Sequence, residues 1–119
     1  MKYRFIFCVI LLFTLLLTSC EKEATIKVTN NVHNVQLDNI SFDKFGIGSY
    51  ILPGETTPEL TISTADDVSF PLSAPLQFYM VKGDRRVFLK TKEIYTLNVD
   101  DKLVVVISDD TEVVNMLNE

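Results

Sequence analysis

Ala24-Thr25-Ile26-Lys27-Val28-Thr29 alternates apolar and polar side chains at every step. Successive side chains of an extended strand point to opposite faces, so this run predicts a strand with one face in a core and the other in water. A helix needs apolar residues three and four apart, a spacing that is hard to find in the rest of the chain. Period two recurs instead. Leu60-Thr61-Ile62-Ser63 alternates, and so does Tyr95-Thr96-Leu97-Asn98-Val99. Val35 and Leu37 share one face while Ile40 and Phe42 fall on the other. That slip of phase at Asp38-Asn39 predicts a β-bulge.

Turn residues punctuate these runs. Asn30-Asn31 reads as a turn after the first strand. Leu52-Pro53-Gly54-Glu55 places Pro and Gly in the order that a type II turn requires. Lys82-Gly83-Asp84-Arg85 reads as a hairpin loop joining a strand at Gln77–Val81 to one at Arg86–Lys90. Gly46-Ile47-Gly48-Ser49 reads as a flexible loop between the second and third strands; with no helix after it, it makes no phosphate cradle. Residues 64–76, with Asp66-Asp67, Pro71 and Pro75, also read as loop. Leu103 to Ile107 is five consecutive apolar residues, which predicts a strand buried on both faces. Glu112 to Leu117 reads as a last edge strand or a tail. Strands spaced about 8–12 residues apart predict an all-β domain over residues 24–119, an antiparallel β-sandwich of about seven strands.

The first twenty residues differ in kind. Lys2 and Arg4 precede Phe5–Leu17, which is apolar except for Thr14. A membrane-spanning helix needs roughly 20 apolar residues and a signal-peptide core about 7–15, so the length fits an export signal. The segment ends Leu17-Thr18-Ser19-Cys20, which resembles the lipobox of bacterial lipoproteins. That resemblance implies removal of the signal peptide 1–19, diacylglycerol on the Cys20 sulfur and acylation of its new amine. Several chains on one residue meet the need for more than one anchoring group. An uncleaved signal anchor and an ordinary secretory signal are the alternatives. Residues 20–23 would then be the lipidated cysteine and a short tether, in a protein of the cell envelope attached to the membrane, expected to be the outer one, on its periplasmic side or at the surface.

The layout from Ala24 to Thr111 also resembles small Ig-like or transthyretin-like lipoproteins of the Bacteroidota type. The features that carry this are Asn30-Asn31, Asn39-Ile40-Ser41-Phe42, Leu52-Pro53-Gly54-Glu55 and Ile107-Ser108-Asp109-Asp110-Thr111. The chain has no tryptophan and no cysteine pair between sheets, so the resemblance extends to an Ig-like sandwich and stops there.

Composition narrows function. The chain has 11 basic and 16 acidic residues; losing Lys2 and Arg4 leaves 9 against 16, a net of −7. Such a domain is a poor partner for nucleic acid, whose phosphates demand clustered Lys and Arg. Of the two cysteines, Cys8 lies in the signal and Cys20 takes the lipid, which leaves none for a disulfide. His33 is the sole histidine, too few for a zinc site of the common kinds. It reads as a solvated turn residue, not a catalytic base. The pairs Asp66-Asp67, Asp100-Asp101 and Asp109-Asp110 suit turn formation; calcium is their other use. No catalytic residue, cofactor or metal is expected. Phe78 and Phe88 read as core. Tyr79 points the other way, so that Gln77, Tyr79 and Val81 form a partly apolar stripe suited to binding. Lys82, Arg85 and Arg86 read as a solvated hairpin tip. The expected function is a non-enzymatic adhesion, assembly or accessory binding module for an unknown protein or glycan. A carbohydrate- or calcium-binding domain is the alternative, and a small hydrolase the most remote.

Overall fold

Ala24, Ile26 and Val28 are buried and the threonines and lysine between them half-buried, so the opening alternation is realised in a strand, β1 (Glu23–Asn31). The computed structural model describes residues 21–118; the signal segment and Cys20 lie outside the described residues. Nine more strands follow. They are β2 (Gln36–Phe42), β3 (Phe45–Ile51), β4 (Leu60–Ser63), β5 (Leu72–Ala74), β6 (Leu76–Lys82), β7 (Arg85–Thr91), β8 (Tyr95–Leu97), β9 (Lys102–Ser108) and β10 (Val113–Asn115). The chain is all-β, and β5, β8 and β10 are only three residues long.

The strands form a three-stranded sheet, β4-β1-β9, a five-stranded sheet, β10-β7-β6-β2-β3, and a ribbon, β5-β8. One apolar cluster joins the inner faces, with Ile26, Val28, Ile62 and Ile107 from the first sheet and Leu37, Phe42, Phe78 and Leu89 from the second. Every ladder is antiparallel except one: β9 runs parallel to β1, from Thr25 opposite Lys102 to Asn31 opposite Ser108. A parallel pair places the first and a late strand side by side, which alternation along one strand cannot specify.

Several turns follow their residue chemistry. Glu55 N–H donates to the Leu52 carbonyl at 3.0 Å and Gly54 has φ +87°, as a type II turn requires. Gly83 has φ +60° at the first central position of the two-residue β6–β7 hairpin, the place where a type II′ turn wants glycine. The slip at Asp38-Asn39 is a register shift against β6, between Asp38 and Ser41, with Asn39 at φ +48°; against β3 the shift falls between Ile40 and Ser41.

Other expectations are corrected. Leu103–Ile107 is not buried on both faces: Val105 and Ile107 face the core, while Val104 and Val106 are each 48% exposed. Among the described residues none covers Val104 and Val106 fully, so the apolar run does not mark two-sided burial. Gly46-Ile47-Gly48-Ser49 is no loop but the middle of β3, where Ile47 is buried and Gly48 lies against Thr57. Asn30 and Asn31 end β1, and the turn falls at Val32–Asn34. Within residues 64–76 lie a 3-10 turn, Thr64–Asp66, and β5. Phe88 is only half-buried and lies outside the core cluster.

Candidate functional site

The two-residue turn at Gly83-Asp84 sets what faces what on the outer side of the five-stranded sheet. It pairs Lys82 with Arg85, and counting back places Val81 opposite Arg86, Tyr79 opposite Phe88 and Gln77 opposite Lys90. β2 continues these rows. Gln36 lies opposite Val81, Asp38 opposite Tyr79, and Asp38 also opposite Tyr50 of β3. The central row therefore reads Phe88, Tyr79, Asp38, Tyr50 across four strands. Alternation puts this row on the face away from Leu37, Phe78 and Leu89, which are buried.

Gln77, Tyr79 and Val81 do share this face, and each is half-buried. Tyr79 is already engaged. Its ring stacks on Phe88 with centroids 4.7 Å apart and an interplanar angle of 23°, and the Arg86 guanidinium lies over it at 4.1 Å. Both are favourable arrangements of an aromatic quadrupole. Gln36 donates to Asp38 at 2.6 Å, which holds that carboxylate on the surface. Tyr50 is 60% exposed and gives the face its most accessible ring. Phe88, Asp38 and Tyr50 escape a reading of single strands. The hairpin register carried the signal for Phe88, since any two-residue turn at Gly83-Asp84 pairs it with Tyr79.

The three Asp pairs lie apart in the chain; two close local turns and the third reaches across the fold to the β1–β2 turn. Asp66 accepts from Ser63 N–H at 2.9 Å, Asp101 from Asn98 N–H at 2.7 Å, and Asp109 from His33 N–H at 3.0 Å. Asp67 and Asp100 adopt left-handed backbone, which Asp tolerates better than most residues. Among the described residues, no group of three or more His, Cys, Asp or Glu side chains is placed to hold a metal.

A second feature lies beside β9. An open groove of about 520 Å³ separates Val106 and Ser108 from Lys92, Glu93 and Tyr95, and Asp110, Thr111 and Glu112 close it. Burial raises the pKa of the Tyr95 phenol above its ordinary value, with the Glu93 charge and a hydrogen bond to that carboxylate adding to the effect.

Comparison of the chain with protein-family models, with curated proteins and with solved structures returned no match. Fold and local chemistry are therefore what define the class, a small all-β sandwich domain with a mixed aromatic and polar sheet face.

Proposed function

We propose that this chain is a lipid-anchored, non-enzymatic binding module of the bacterial cell envelope. Lipid on Cys20 holds the sandwich to a membrane, and the outer face around Gln77, Tyr79 and Val81 receives a protein or glycan. One observation carries the anchoring half. The fold takes hold of the chain at Lys22, whose N–H donates to Thr64 Oγ1 at 3.3 Å and whose carbonyl accepts from Thr64 N–H at 2.9 Å. An extended chain covers at most about 3.6 Å per residue, so Lys22 lies within about 7 Å of Cys20. Fold contacts that already engage Lys22, two residues after the expected lipid site, are compatible with the lipoprotein reading. The tether is then so short that the domain stands on the bilayer, with the start of β1 and the Asp100-Asp101 turn nearest the headgroups.

The sheet face supports the binding half. Tyr50 offers an exposed ring, and Arg86, Asp38, Gln36 and Gln77 surround the Tyr79–Phe88 stack with donors and acceptors. Aromatic and arginine side chains dominate the energetics of protein interfaces.

Metabolic labelling with an alkyne fatty acid, followed by membrane fractionation, tests the anchor. The wild-type chain takes up label and pellets with the bilayer, and Cys20→Ser does neither. Label or membrane association that persists in Cys20→Ser overturns the reading.

A further inference from the structure

β9 presents a long unpaired edge. It spans seven residues and pairs with β1 on one side, and no described strand pairs with it on the other. Natural sheets shield such edges with charge, proline, a bulge or a covering segment. Lys102 is the one charge in the strand, at its first position; from Leu103 to Ser108 there is no charge and no proline, and the ladder to β1 runs without a register shift. Val104 and Val106 leave apolar surface exposed beside it. The segment across from this edge, Lys92 to Tyr95, stands off and leaves the open groove between them.

Charge decides what fits. Asp100 and Asp101 precede the strand, Asp109 and Asp110 follow it, and Glu93 and Glu112 line the groove, against two bases, Lys92 in the groove and Lys102 at the first position of the strand. A second copy pairing antiparallel about Val105 would match Val104 with Val106. The same register would set Asp101 against Asp109 and Asp100 against Asp110, at both ends. Like charges directly opposed are destabilising, so the acidic flanks disfavour self-association. A strand with basic ends meets the opposite situation. We propose that the β9 edge and its groove accept an extended segment of a partner protein by strand addition, with an apolar alternating centre and Lys or Arg at both ends. Main-chain hydrogen bonds would supply the ladder, and the acidic flanks would set polarity and choice of partner. This inference rests on the reading of the domain as a binding module and is independent of the anchor.

The probe is a labelled peptide with a valine–threonine core as long as β9 and two lysines at each end, titrated against the full chain in mild detergent. A control peptide carries glutamates at the ends. The lysine-flanked peptide binds at least about tenfold more tightly, its affinity falls with added salt, and amide exchange across Lys102–Ser108 slows in the complex. The double variant Asp100→Asn and Asp110→Asn keeps side-chain shape and tolerates the same backbone, so it unfolds at an unchanged temperature while discriminating less between the two peptides. Equal affinity for the two peptides, binding by neither, or a dimer of the free chain that the peptide does not dissociate overturns the proposal. Cys20→Ser binds the peptide as wild type does, so failure of the anchor and failure of the edge site are read separately.

Discussion

The amide of Asn30 links two sheets: from β1 its Nδ2 donates to the carbonyl oxygen of Ile51 on β3 at 3.1 Å. The same nitrogen donates to the Val35 carbonyl at 2.7 Å, and Oδ1 accepts from Val32 N–H at 2.9 Å. The side chain is fully buried, and both ends of its amide are used. Asn30→Ala strands the Ile51 carbonyl and the Val32 amide away from water and leaves the half-buried Val35 carbonyl without this partner. Each unsatisfied buried group costs about 1–3 kcal/mol, although neighbouring losses do not add in full. Urea unfolding should therefore show a loss of about 3 kcal/mol. Asn30→Asp should do no better at neutral pH, because a carboxylate has no proton to offer the two carbonyls.

Gly48 and Thr57 make a second tight relationship. A Cβ built on Gly48 would lie 2.9 Å from Thr57 Cγ2. Thr57 cannot easily retreat: it is buried, its Oγ1 accepts from Val28 N–H at 3.0 Å, and its own N–H donates to the Val28 carbonyl at 2.8 Å. Gly48→Ala should destabilise by about 1–3 kcal/mol, the usual range for overpacking. Gly46→Ala, with open space at its Cβ, should be close to neutral. Adding Thr57→Ser to Gly48→Ala removes the clashing methyl and keeps the hydroxyl, so the double variant should recover most of the loss in thermal melts. An additive double variant would refute the contact.

Tyr95 gives the groove a pH signature. Burial first, and then Glu93, raises its phenol above the ordinary 10.0. The folded state thus holds the proton more tightly than the unfolded state. The resulting stability is fully present below about pH 10 and is lost as pH climbs through the folded value. Phenolate absorbance should show one tyrosine titrating late. Glu93→Gln should bring that midpoint down only part of the way, because desolvation, the larger cause, remains. A full return to 10.0 would assign the shift to Glu93 alone.

Much of the strand pattern is legible in residue order because it depends on neighbours. Ala24, Ile26 and Val28 reveal their buried face by spacing, Gly54 and Gly83 mark turns that need positive φ, and Asp38-Asn39 betrays a bulge through a slip of phase. Local chemistry also misleads where the deciding partner is distant. Gly48 looks like loop because glycine is rare in strands, yet Thr57 needs the space beside it. Asn30 looks like turn because asparagine favours turns, yet it serves three backbone groups, two of them buried. Leu103–Ile107 reads as doubly buried because apolarity implies cover, yet Val104 and Val106 face outward and are exposed. Of the candidate face, Tyr79 is visible from its phase within β6. Phe88 requires the hairpin register, and Tyr50 requires the pairing of β2 with β3.

The sequence by itself determined that this chain folds as strands, where many of them turn, and which side chains of each seek the core. Those properties follow from alternation and backbone preference over a few residues. Only the tertiary structure decided that β9, the strand between Asp100-Asp101 and Asp109-Asp110, lies parallel to β1 at an open edge, and that Tyr79 lies against Phe88 and Arg86. Those outcomes depend on which strands lie side by side, and that is settled by packing between residues far apart in the chain.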